Sequence, residues 1–125
     1  MNEYMLLIRN VGDGKAGMTA EQHLAFVKGC EDYIGILKKV NRLIAAQPLI
    51  REGKTISKKN GDWVENPVHA ANEIQVGYYH IRAESLEDAI TIAKGNPEFE
   101  YVPTASIEVR PIKIKEEKTE FVYPK

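Results

Sequence analysis

His23 is the first residue whose type and position suggest chemistry. It follows Thr19-Ala20-Glu21-Gln22, a Thr-x-x-Gln pattern in which hydroxyl and side-chain amide satisfy each other's backbone N–H groups, so a helix is expected to begin there. In the first turn or so of that helix the positive end of the dipole favours a neutral ring, which accepts a proton. Phe26 and Val27 would take it partly out of water. Two readings stand: a general base or acid, and a neutral histidine satisfied by one bond at the helix edge.

Glu108 and Arg110, at i and i+2 in Ser106 to Ile112 (SIEVRPI), project from the same face of an expected strand. Either they form an ion pair, mutual or across an interface, or Arg110 orients an anionic or enolic ligand. Tyr78-Tyr79 sends one ring to each side of its strand, so one belongs to the core and the other is free to line a cleft.

Other patterns carry less. Gly12, Gly14 and Gly17 spell G-x-G-x-x-G, but the cap at Thr19 starts the helix after the third glycine, which a dinucleotide fingerprint needs inside the helix. His23, His69 and His80 have no metal-ligand spacing, with or without Cys30, and no metal or cofactor is expected. Cys30 lies ~10 Å of helical rise from His23, too far for a nucleophilic pair, and reads as a small buried hydrophobe.

The elements that must position these residues follow from patterning. Glu3 to Arg9 (EYMLLIR) reads as a buried first strand. The helix from Thr19 repeats Leu24, Val27, Ile34 and Leu37 near the 3.6 period, with His23, Phe26, Cys30, Tyr33 and Val40 widening that stripe, and Asn41 suits a left-handed end. Leu43 to Pro48 (LIAAQP) reads as a second strand or an extended crossing segment. Asn60-Gly61 marks a hairpin within an arm of about 50–65. Ile74 to Arg82 is a strand with Val76, Tyr78 and His80 on one face. Ser85 caps a second helix whose inner face carries Leu86, Ala89, Ile90 and Ala93, and which stops at Gly95 and Asn96-Pro97.

The order β, α, β, hairpin, β, α, β predicts an α+β fold: a ferredoxin-like antiparallel sheet with two helices on one face. Residues 1–112 form this domain and 113–125 a C-terminal extension whose Phe121, Val122 and Tyr123 are expected to dock on their own or a partner subunit. The other sheet face mixes apolar and charged residues, so a second copy is its simplest cover and a homodimer is expected.

The chain has 125 residues, 43% of them hydrophobic and 28% charged, enough for one core without disulfides. Lys plus Arg number 17 against 18 Asp plus Glu, a balance that leaves no basic field for nucleic acid or an anionic membrane. A single cysteine and the absence of a signal-like N-terminus imply a cytoplasmic protein.

Tyr4-Met5-Leu6-Leu7-Ile8, the pattern Leu37 through Leu49 (LKKVNRLIAAQPL), Gly77-Tyr78-Tyr79 with Ser85-Leu86-Glu87-Asp88-Ala89, and Glu108-Val109-Arg110-Pro111 together resemble the YciI-related family and its DGPF branch. The likeness covers most of Tyr4 to Ile112 and implies a dimeric α+β barrel. It also implies an active centre made of a histidine on the first helix, matched by His23-Leu24, and an Asp-Pro step after the second, where this chain has Asn96-Pro97. Glu65-Asn66-Pro67-Val68 stands where the branch has Asp-Gly-Pro-Phe. By this resemblance His23 and Asn96 form the catalytic pair; Arg110, Tyr78 and Glu108 are the ligand contacts expected from residue type and strand pattern. The implied activity is lyase- or isomerase-like proton transfer on a small aromatic or enolic molecule; the alternative is a dimer that binds a metabolite without turnover.

Overall fold

Tyr4, Leu6, Ile8 and Asn10 alternate along β1 (Asn2–Val11), and all four point into the core. The same period in β5 (Glu73–Ala83) buries Gly77, Tyr79, Ile81 and Ala83. The two strands pair antiparallel, setting Tyr4 against Ile81, Leu6 against Tyr79 and Ile8 against Gly77. Leu6 and Ile81 are fully buried, each worth about 1.5–3 kcal/mol in area removed from water.

This computed structural model describes residues 1–12, 17–69 and 72–124. Among them, β1 and β5 form the middle of an antiparallel sheet of order β2-β5-β1-β6, with β2 (Leu43–Pro48) and β6 (Ser106–Pro111) at its edges. α1 (Ala20–Lys39) and α2 (Leu86–Lys94) join these strands and pack on one face, as expected, an arrangement compatible with the ferredoxin-like fold. A further turn, α3 (Glu98–Tyr101), follows Asn96-Pro97, so the described residues hold three helices where two were expected.

The Thr19 cap forms as read: its hydroxyl accepts Gln22 N–H and the Gln22 side chain accepts Thr19 N–H. Since α1 starts after Gly17, the dinucleotide fingerprint fails on that ground; Gly14 lies outside the described residues. The inner stripe of α1 is corrected. Leu24, Val27 and Val40 are exposed, and the inward seam is His23, Phe26, Cys30, Tyr33 and Leu37, with Ile34 beside it. Aromatic rings set this rotation because they have more area to bury. The Tyr33 ring meets Tyr79 edge-on at 5.4 Å and its hydroxyl donates to the Ile92 carbonyl, while Phe26 packs on Tyr101 at 5.5 Å.

Two smaller readings change. Val76 was expected to share a face with Tyr78 and His80, but a bulge sets Ile8 on Gly77 and Arg9 on Gln75, and Val76 packs against the core. Leu86 is exposed on α2, whose buried residues are Ala89 and Ala93.

The hairpin arm is β3 (Lys54–Lys59) and β4 (Asp62–Pro67), closed by Asn60 and Gly61, both at positive φ as a type I′ turn requires. Beyond β6 the extension folds back on itself, with Lys115 bridging to Val122 and the Phe121 and Tyr123 rings in contact at 5.2 Å. The Phe121, Val122 and Tyr123 side chains remain exposed, and Lys125 lies outside the described residues. Among the described residues no helix is long and apolar enough to cross a membrane.

Candidate functional site

Asn96 is 2% exposed. It sits where α2 ends, and its side-chain oxygen accepts Glu98 N–H at 2.9 Å while its backbone carbonyl accepts Phe99 N–H. That is the work of a helix cap, done one residue outside α3, and Pro97 at the next position loses nothing because a first-turn N–H has no helical partner. The remaining amide nitrogen of Asn96, Nδ2, is buried on the side of the Tyr79 hydroxyl without completing a hydrogen bond.

Glu98 extends from this cap into a polar cluster between α1, α3 and the end of β1. Burial pushes its carboxyl above the ordinary value, and the Asn10 amide and Arg51 guanidinium pull against that rise. Arg51, just past β2, donates to Asn10 Oδ1 at 3.0 Å and to the Gly12 carbonyl, so the guanidinium is clamped to the end of β1. Arg51 Nε and Glu98 Oε2 are buried without partners. Tyr79 and Cys30 close the cluster. Burial raises both, with a contribution from the Glu98 charge; the thiol is pushed up to about 11 and is no nucleophile at neutral pH, and the Asn96 amide opposes the Tyr79 rise.

His23 heads the α1 seam that packs on this segment. Along that seam Tyr33 faces Gly95, Gly29 faces the Pro97 ring at 3.5 Å from where a Cβ would stand, and Phe26 meets Tyr101. His23 Nδ1 is buried without a hydrogen-bond partner, and among the described residues no hydrogen bond joins His23 to Asn96. Those contacts set Asn96 level with the stretch Gly29 to Tyr33, about two turns of α1 from His23, so the seam does not bring the expected pair into contact; the carboxylate beside the asparagine is that of Glu98.

The other expected site residues lie elsewhere. Glu108 and Tyr78 both stand opposite Leu7, and Arg110 opposite Met5, on the sheet face away from the helices. One chain therefore cannot gather Arg110, Tyr78 and Glu108 around a ligand held by His23 and Asn96, because the sheet separates them. Glu108 pairs with Arg9 at 3.7 Å rather than with Arg110. On the same open face His80 Nε2 lies 2.7 Å from Glu3 Oε1. His69 lines a hollow of about 450 Å³ at the foot of the hairpin, and a second of about 360 Å³ lies between α2, Phe99 and β6; neither includes His23 or Asn96.

Sequence reading missed Glu98, Arg51 and Asn10. Asn10 had a signal: it is a polar residue at the next inward position after Tyr4, Leu6 and Ile8. Glu98 had a weaker one, a carboxylate directly after the Asn96-Pro97 step that stops the second helix. Arg51 looks like any loop arginine. Among the described residues no three His, Cys, Asp or Glu side chains group as metal ligands. No model of a known protein family matches the chain, and no curated protein matches it.

Proposed function

We propose that the protein holds a small enolisable or aromatic molecule at the α1–α3–β1 end and moves a proton on it, with His23 as acid or base. The carrying observation is Asn96 Nδ2, a donor on a residue 2% exposed that has no hydrogen-bond partner, in a cluster where Arg51 Nε and Glu98 Oε2 share that state. Buried polar groups are paired in the great majority of proteins, and exceptions concentrate where a ligand or reaction uses them. The reading agrees with the YciI-like resemblance, whose active centre falls on His23 and Asn96.

The working unit in this proposal is a homodimer in which the open sheet faces of two copies cover one another as in a dimeric α+β barrel. Met5, Leu7, Ala45 and Tyr78 on that face support it, since apolar side chains there have no helix above them. Sedimentation of a monomer at micromolar concentration overturns the dimer.

Phenylpyruvate, both aromatic and enolisable, is the probe for the site. Wild-type protein is expected to speed deuterium uptake at its benzylic carbon in D2O, followed by proton NMR, and His23→Gln to abolish the gain while circular dichroism stays unchanged. A His23→Gln variant as fast as wild type overturns the proposal. A specific observation favours binding without turnover as the second reading: Asn96 has no charge and its oxygen is committed to the cap. Saturable binding of phenylpyruvate with no exchange selects that reading.

A further inference from the structure

We infer that Glu98 is the base of this site and that Asn96 and Arg51 are the donors that hold the ligand's oxygen; the inference rests on the proton-transfer reading above. Four observations carry it. The Glu98 backbone is fixed by the Asn96 side chain at 2.9 Å, so its position is built rather than adopted by chance. Its Oε2 is buried and unpartnered. Two unpartnered buried donors, Asn96 Nδ2 and Arg51 Nε, belong to the residues that flank it. Arg51 is itself clamped by Asn10 and the Gly12 carbonyl, so its charge stays beside the carboxylate instead of swinging into water.

An acceptor carboxylate between two donors fits a carbonyl compound with an acidic C–H. Glu98 takes the proton from the carbon next to the carbonyl, the C–H electron pair becomes the C=C bond, and the carbonyl pair moves to oxygen as an enolate. Asn96 and Arg51 donate to that oxygen, and protonated Glu98, after exchange with solvent, returns a proton to the same carbon as the carbonyl re-forms, so the step needs no other reactant. Around Glu98 the charged and titratable groups are Arg51 after β2, Cys30 on α1 and Tyr79 on β5, with Asn10 from β1. The Cys30 thiol and Tyr79 hydroxyl are uncharged at neutral pH, which leaves Arg51 as the formal charge that faces the carboxylate.

The test compares wild type, Glu98→Gln, Glu98→Asp and His23→Gln in deuterium uptake by phenylpyruvate across pH 4 to 9, with thermal melts as the control for folding. Loss of a general base costs about 10²–10⁴-fold, so Glu98→Gln is expected to lose at least about 100-fold and to flatten the acidic limb of the rate profile. Glu98→Asp keeps the limb at a reduced rate. His23→Gln loses the gain under the reading above, so the limb is compared between wild type and the Glu98 variants. A Glu98→Gln variant within about threefold of wild type, with its acidic limb intact while His23→Gln is inactive, overturns the role of Glu98 and leaves the proton-transfer reading standing. A wild-type protein with no effect on phenylpyruvate overturns both.

Discussion

The side-chain oxygen of Asn96 accepts the backbone N–H of Glu98 at 2.9 Å. This bond makes Asn96 a structural part of α3 as well as a member of the candidate site, and an aspartate in its place could make the same bond. Both residues cap helices well, so the exchange keeps the local fold and removes only the charge.

Replacement of Asn96 should separate those roles. Asn96→Ala loses the cap, a cost of about 0.5–2 kcal/mol, and is expected to lower the midpoint of urea unfolding. Asn96→Asp keeps the cap but sets a second carboxylate beside Glu98, and two carboxylates in one partly buried place raise one another's protonation range. Its stability relative to wild type should therefore be best in acid and fall as the pH rises towards neutral. Equal stability of Asn96→Ala and wild type would show that the cap does not anchor α3.

The Arg42–Asp88 pair gives a pH dependence of opposite sign. Asp88 accepts Glu84 N–H at 2.8 Å and Arg42 Nη1 at 2.6 Å, and these two bonds hold its carboxyl below the ordinary value. A depressed carboxylate contributes stability that is present above its unfolded value and lost as pH falls through the folded one. Asp88→Asn should thus melt below wild type at pH 7, with the gap closing towards pH 2. A gap that does not change with pH would assign the effect to packing instead.

The order of elements was legible because each boundary had its own local chemistry: the Thr19 and Ser85 caps, Asn41 at positive φ, and Asn60-Gly61 in the hairpin. The rotation of α1 was not. Leu24 and Val27 satisfy the helical period as well as Phe26 and Tyr33 do, and only the partners Tyr79, Ile92 and Tyr101 decide between them. The site was half legible for the same reason. His23 and Asn96 stand beside caps that can be read locally, whereas Glu98 meets Arg51 and Asn10 through contacts that span 47 and 88 positions of the chain.

Gly77 is a point where backbone alone sets the residue. A Cβ there would lie 3.1 Å from the Gln47 carbonyl oxygen and 3.4 Å from Pro48 Cα, both main-chain atoms of β2 that cannot swing aside. Gly77→Ala should push β2 from β5 at a cost of about 1–3 kcal/mol. Faster amide exchange confined to β2 and its partner positions, together with a lower urea midpoint, is the expected signature. Unchanged exchange would mean that the sheet relaxes freely at this edge.

The β3–β4 arm is expected to be dispensable for folding of the chain. Nearly all its side chains are exposed, including Trp63 at 71%, which is touched by the Lys58 ammonium 5.1 Å from its ring centre. Its base is already closed, because Val68 N–H donates to the Gly53 carbonyl at 3.0 Å. Residues 54–67 can therefore be replaced by a two-residue Asn-Gly turn without opening the sheet, and surface changes of this kind usually stay within about 0.5 kcal/mol. Trp63 is the single tryptophan, so the fluorescence of the intact chain reports on the arm alone and should match a water-exposed indole. A shortened chain that melts like wild type and keeps its sedimentation would leave the arm outside both core and dimer. A shortened chain that folds but sediments as a monomer, from a dimeric parent, would place the arm in the interface and move the subunit contact away from the open sheet face.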